Sequence, residues 1–152
     1  MRDYSSYNSL VSAEQDIPRN WRLKAQRYRM VGTACEEGHR HFPPVAVCRH
    51  CSGEAKAPYQ FSGKGEIYSF ATVFEGPAGF NGKTPYHLAT IRLEEGPLIT
   101  AQLTDFGNKE PEIGAAVEMV TRMIKEVAGE RSLFVYGYKF RPQLQAEPEQ
   151  PK

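Results

Sequence analysis

No run of apolar residues in this sequence approaches the roughly 18 that a membrane-spanning helix needs. The opening residues, Met1-Arg2-Asp3-Tyr4-Ser5-Ser6-Tyr7, hold no apolar core of the signal-peptide kind, so a cytoplasmic location is expected. Neither sign of charge dominates: 19 Lys and Arg stand against 18 Asp and Glu, a net charge of +1. That balance excludes a protein whose whole surface serves as an electrostatic glove for nucleic acid, although a local basic patch stays open. Cysteine is scarce. The three thiols all lie between positions 35 and 51, and an odd, clustered set in a reducing compartment reads as a metal site rather than a disulfide framework. Also missing are a Walker-type or G-x-G-x-x-G phosphate cradle and a G-x-S-x-G nucleophile elbow.

What is there reads as a soluble, globular chain with room for about one small barrel. Residues 1–17 are polar and aperiodic, and residues 143–152 carry two Pro, two Glu and three Gln; both stretches read as solvated tails. Between them, Pro18 to Met30 predicts a helix. Pro18 suits a first turn, Trp21, Ala25 and Tyr28 form an apolar stripe at i, i+4, i+7, and Gly32 marks the stop. Its other faces carry Arg19, Arg22, Lys24, Arg27 and Arg29, five cations without an acid.

From Gly63 the pattern turns to strands at Glu66–Phe74, Tyr86–Glu94, Leu98–Thr104, Val117–Glu126 and Ser132–Phe140, the fourth of which also fits a short helix. Ala89, Ile91 and Leu93 share a face with His87, and Ile99, Ala101 and Leu103 share another. Phe134, Tyr136, Tyr138 and Phe140 alternate in the same way. Five short strands with a longer third connection suit a Greek-key barrel of the OB type, in which closure removes exposed edges.

The strongest local chemistry is Cys35-Glu-Glu-Gly38-His39-Arg-His41-Phe42-Pro43-Pro44, followed by Cys48-Arg-His50-Cys51. A zinc ribbon draws two donors from each of two turns, so that four converge tetrahedrally at about 2.0–2.3 Å. Cys48 and Cys51 are a proper pair at the right distance from Cys35. Position 38, three after Cys35, is a glycine with no donor. The fourth ligand therefore comes from His39, the best placed, or from His41 or His50. A ribbon held without metal by Phe42 and the prolines is the rival reading.

These residues, with Trp21-Arg22, Arg27-Tyr28-Arg29, Gly32, Gly63-Lys64-Gly65-Glu66-Ile67-Tyr68-Ser69-Phe70, Gln102-Leu103-Thr104-Asp105, Ile113-Gly114 and Tyr136 to Pro142, resemble the DUF35 family over residues 21–142. The resemblance implies a mainly β chain with an N-terminal helix: helix and rubredoxin-like zinc ribbon over 18–60, then a five-stranded OB-fold barrel over 61–142. It also implies a structural Zn2+ and an accessory role without a complete catalytic constellation. In that role the chain bridges thiolase-like and hydroxymethylglutaryl-CoA-synthase-like subunits of a hetero-oligomer and helps wall an acyl-CoA channel. The family's usual four-cysteine ribbon is broken here at Gly38.

Against that background, the basic helix reads either as a solvated face or as a docking surface, with Trp21, Arg22, Arg27 and Tyr28 as its candidates. The loop Glu75–Pro85, with three Gly and two Pro, reads as an ordinary hairpin or as a place where Phe80 and Lys83 meet a ligand. Lys139 and Arg141 would stand near the barrel mouth, within reach of a CoA phosphate. Aromatics on an OB barrel also suit single-stranded nucleic acid, which the near-neutral charge disfavours. A subunit that completes a hydratase or acyltransferase site is the third possibility.

Overall fold

The structure, a computed structural model, describes residues 18–76, 84–107, 109–127 and 133–144. No helix among them is long and apolar enough to cross a membrane. Residues 18–22 are helical and, after a turn at Leu23, helix α1 runs over Lys24–Arg29. It ends at Met30, which takes a left-handed conformation (φ 48°) and sends its fully buried side chain into the core.

Gly32, expected as the stop, lies instead inside strand β1 (Val31–Ala34). Its role is close approach. A Cβ there would collide with the carbonyl oxygen of His41 on β2 (Arg40–His41) and with the ring of Phe61. With β3 (Ala57–Gln60), these strands form an antiparallel sheet in the order β2-β1-β3, in which Thr33 faces His41 and Val31 faces Gln60.

Five further strands form the larger sheet: β4 (Lys64–Val73), β5 (Tyr86–Leu93), β6 (Leu98–Gln102), β7 (Ala116–Val127) and β8 (Leu133–Pro142). Their order is β6-β5-β4-β7-β8. A parallel bridge between Leu103 and Phe140 nearly closes the barrel, and the Thr104 N–H donates to the Phe140 carbonyl at 2.8 Å. This is the order of an OB fold. Register shifts at Ile67/Ser69 and Met123/Lys125 supply the bends that curl a flat sheet. The segment that also fitted a helix is β7, because pairing with both β4 and β8 satisfies its backbone.

The alternating positions read from the sequence are the core: Ala89, Ile91 and Leu93 from β5, and Ile99, Ala101 and Leu103 from β6 and its end, are all buried. Met30, Phe42 and Phe61, each next to a strand of the small sheet, join the same apolar cluster, so the two sheets share one core. Strand β8 departs from its simple alternation. Phe140 is buried and Tyr138 partly so, whereas Phe134 and Tyr136 stand exposed.

Candidate metal centre and docking face

Two tight turns build the metal centre. After β1, the Cys35 N–H donates to the His39 carbonyl (3.1 Å) and the Gly38 N–H to the Cys35 carbonyl (3.0 Å). Gly38 (φ 84°) carries the chain through a left-handed turn, and a Cβ there would touch nothing. The turn thus delivers the donor one residue later, at His39. In the second turn the Ser52 N–H donates to the Cys48 carbonyl (3.0 Å), the Cys48 N–H to the Gly53 carbonyl (2.8 Å) and the His50 N–H to Cys48 Sγ (3.4 Å).

Cys35, His39, Cys48 and Cys51 converge, all their ligand atoms lying within 4.8 Å of one another. His39 Nδ1 is 3.4 Å from Cys35 Sγ and 3.7 Å from Cys48 Sγ, and the Cys35 and Cys51 sulfurs are 3.7 Å apart. A zinc tetrahedron with bonds of 2.3 Å to sulfur and 2.0–2.1 Å to nitrogen has edges of about 3.8 Å (S···S) and about 3.5 Å (S···N). The donor set fits structural zinc.

The electrostatics agree with that fit. Burial pushes the Cys48 thiol up, but the N–H groups of Cys51 and His50 and the His41 side chain outweigh it and lower it to about 5. At Cys51 the Gly53 N–H acts downward, yet the neighbouring Cys48 and Cys35 sulfurs and burial raise the thiol to about 11. Three sulfurs this close cannot all carry negative charge without a cation among them.

The sequence named three histidines for one place, and the structure separates them. His39 joins the donor set. His41, buried, sets its Nε2 3.2 Å from Cys48 Sγ and supports that sulfur from outside. The exposed His50 stacks on both, with ring centroids 4.9 Å from His39 and 5.8 Å from His41. The supporting role of His41 was not read from the sequence. Its signal is the period-two spacing, which puts positions 39 and 41 on one side of an extended segment.

The second region is the helix laid against β8. The apolar stripe stays outside the core, as a docking surface would: Trp21 is 73% exposed and Tyr28 37%, and no residue of α1 is fully buried. These two rings, with Lys24, border a groove of about 380 Å³ whose opposite wall is Phe134, Val135 and Tyr136. Lys24 Nζ lies 4.9 Å over the Trp21 ring. Arg22 is exposed, whereas Arg27 turns toward the barrel and donates to Asn20 Oδ1. The alternation of β8 puts Phe134 and Tyr136 on one face; that this face is open to solvent is a feature of the packing that alternation alone does not state.

Of the residues considered for a ligand channel, Phe80 and Lys83 lie outside the described residues. Lys139 lines a cavity beneath the helix. Arg141 is held by Glu118 on β7, its Nε and Nη2 donating to one carboxylate oxygen at 2.8 and 2.7 Å. His87 is half-buried and lies 3.1 Å from the Thr72 hydroxyl.

Comparison with known proteins agrees with this architecture. Residues 24–57 match the family model of the ChsH2 rubredoxin-like zinc ribbon domain and residues 59–122 that of the ChsH2 C-terminal OB-fold domain. A "DUF35 domain-containing scaffold protein" of Pyrococcus furiosus is 44% identical over 131 residues, 86% of this chain and 96% of that protein. A protein of the same description from Methanocaldococcus jannaschii is 38% identical over 128 residues, 83% of this chain and 90% of the other. Among solved structures, a chain of the "Ltp2-ChsH2(DUF35) aldolase" superposes with a TM-score of 0.57 at 26% identity, covering 75% of this chain and 84% of that one. On these matches and on its ribbon-plus-barrel fold, the chain belongs to the DUF35 family.

Proposed function

We propose that this chain is an accessory scaffold subunit that holds acyl-CoA-handling enzymes together through the face formed by its N-terminal helix and β8. The observation that carries this reading is the exposure of four large aromatics, Trp21, Tyr28, Phe134 and Tyr136, along one helix–strand groove that Lys24 also lines. Aromatic and arginine side chains dominate the energetics of protein interfaces, and leaving four such rings in water has a cost that docking removes. The exposed helix cations Arg22, Lys24 and Arg29 have no acid between them, so the complementary surface is apolar with acidic groups at its edge. The names of the archaeal relatives, and the Ltp2–ChsH2 pairing of the superposed structure, support a partner protein.

In its finer form the reading makes the partners thiolase-like and hydroxymethylglutaryl-CoA-synthase-like subunits, with zinc keeping the ribbon rigid while the barrel lends wall to a shared acyl-CoA channel. The direct test is co-purification of the tagged chain from its native source. Wild type is expected to retain its partners, whereas Trp21→Ala combined with Arg22→Glu loses them by at least tenfold. Unchanged recovery of partners by the folded double variant would remove the helix face from the interface.

A further inference from the structure

Strand β4 is paired on both sides for only part of its length. It meets β7 through Lys64, Gly65 and Glu66, after which the Ile67 N–H donates to the Ala115 carbonyl and the Gly114 N–H to the Ile67 carbonyl. Past the register shift at Ile67/Ser69 it pairs, among the described residues, with β5 alone. The direction of its main-chain groups there follows from β5. The Leu103 N–H donates to the His87 carbonyl and the Leu93 N–H to the Pro97 carbonyl, so the odd-numbered groups of β5 face β6 and those of Tyr86 and Leu88 face β4. Their partners are Val73 and Ala71. The N–H and C=O groups of Phe70 and Thr72 therefore point away from β5, toward the open side.

An open edge templates further pairing, and proteins ordinarily defend it with Lys, Pro or an inward charge. Residues 68–74, Tyr-Ser-Phe-Ala-Thr-Val-Phe, hold none of these. Phe70 is 38% exposed and Phe74, just past the strand, 73%. Strand β7, which leaves β4 after Glu118, carries Arg122, Lys125 and Glu126 in its sequence. The undefended stretch is also symmetric in residue type about Thr72: Phe70-Ala71-Thr72-Val73-Phe74. Antiparallel pairing of two such strands about a two-fold axis at Thr72 sets threonine on threonine, Ala71 on Val73 and Phe70 on Phe74. Threonine and aromatic pairs of this kind stabilise an antiparallel ladder. The axis is in phase with the backbone, because Thr72 turns its N–H and C=O outward, whereas those of Ala71 and Val73 are turned to β5. Charge agrees. A strand that pairs with itself brings its charges near their likes; this one has none, and Glu75, the first beyond it, would meet Ser69.

We infer that the open edge of β4 is a self-association surface: a second copy of this chain pairs with it antiparallel about Thr72, joining β4 of one copy to β4 of the other. The contact uses no residue of the helix–β8 groove. The inference therefore does not rest on the scaffold reading, and either can fail while the other stands.

Sedimentation equilibrium of the full, zinc-loaded chain is expected to show a reversible monomer–dimer equilibrium and nothing larger, because a contact about a two-fold axis closes on itself. Phe74→Glu, at a position already largely in water, should weaken association at least tenfold. Leu98→Glu, on an exposed apolar side chain of β6, should leave it unchanged. Cross-linking with diamide reads the register, with the wild type as background for the three ribbon thiols. Thr72→Cys should yield a disulfide-linked dimer, since directly opposed residues of a hydrogen-bonded pair lie about 5.5 Å apart at Cα, a span that a disulfide bridges. Ser69→Cys, held about 20 Å from its counterpart in this register, should not. Monomer at every concentration, assemblies beyond the dimer, association indifferent to Phe74→Glu in folded protein, or cross-linking at position 72 no greater than at 69 would each overturn the inference.

Discussion

The two ends of this molecule treat reactive and sticky groups in opposite ways. At the ribbon, three thiols and three imidazoles turn toward one another, and sulfur, ring nitrogen and backbone N–H satisfy each other within a few ångströms. At the helix–β8 end, four large aromatics are left in water and polar side chains face inward over a cavity. The first arrangement suits a cross-link that holds shape; the second suits a surface that meets something else. The ribbon needs such a cross-link because its own apolar cluster is small, limited to Cys35, Cys48 and Ala55 with Val45 and Cys51 against it. The barrel's cluster is far larger and takes in Met30, Phe42 and Phe61 from the ends of the small sheet's strands.

The comparison breaks most sharply at the metal. Structural zinc contributes about 10–16 kcal/mol of apparent binding energy in zinc-finger peptides, and one lost thiolate sacrifices much of it. Cys48→Ser is therefore expected to lose zinc, measured by metal analysis of the purified protein. Hydrogen exchange should show residues 31–57 losing protection while the barrel strands keep theirs. A metal-free wild type with a fully protected ribbon would remove the metal from the picture.

The complementary cut is Phe140→Ala, in the side chain that is fully buried at the barrel seam. It should cost about 3–5 kcal/mol by denaturant unfolding, with zinc content per folded molecule unchanged. A smaller effect falls on the outer support of the centre. His41→Ala removes the imidazole beside Cys48 Sγ and should weaken zinc binding about 10–100-fold in chelator competition, with full occupancy restored by excess zinc. Smallest is Glu118→Gln, which uncouples Arg141. That pair is only partly shielded from water, so thermal unfolding should report about 1 kcal/mol or less.

The barrel was legible because its signal is local. Alternation in β5 and β6 states which residues face inward, and each of those expected from Ala89 to Leu103 is buried. The metal cluster was legible as a set of residue types; the choice among three histidines depended on a left-handed turn at Gly38 that spacing alone does not encode. The helix was the hardest to read. Its periodicity placed Trp21 and Tyr28 on one stripe but left open whether that stripe faces a core or a partner, and the structure leaves both rings exposed. Amphipathicity tells which residues share a face, not whether that face looks inward or toward a partner. Gly32 was misread for a related reason: a glycine that ends a helix and one that admits a neighbouring strand look alike in sequence.

The central claim is that this chain supplies surface and shape, and that its enzymatic neighbours supply the chemistry. Thioester turnover by the isolated, zinc-loaded chain, set beside turnover by the complex recovered from the native source, tests it most directly. The expected result is no turnover by the chain alone and full turnover by the complex. Full activity of the solitary monomer would contradict it.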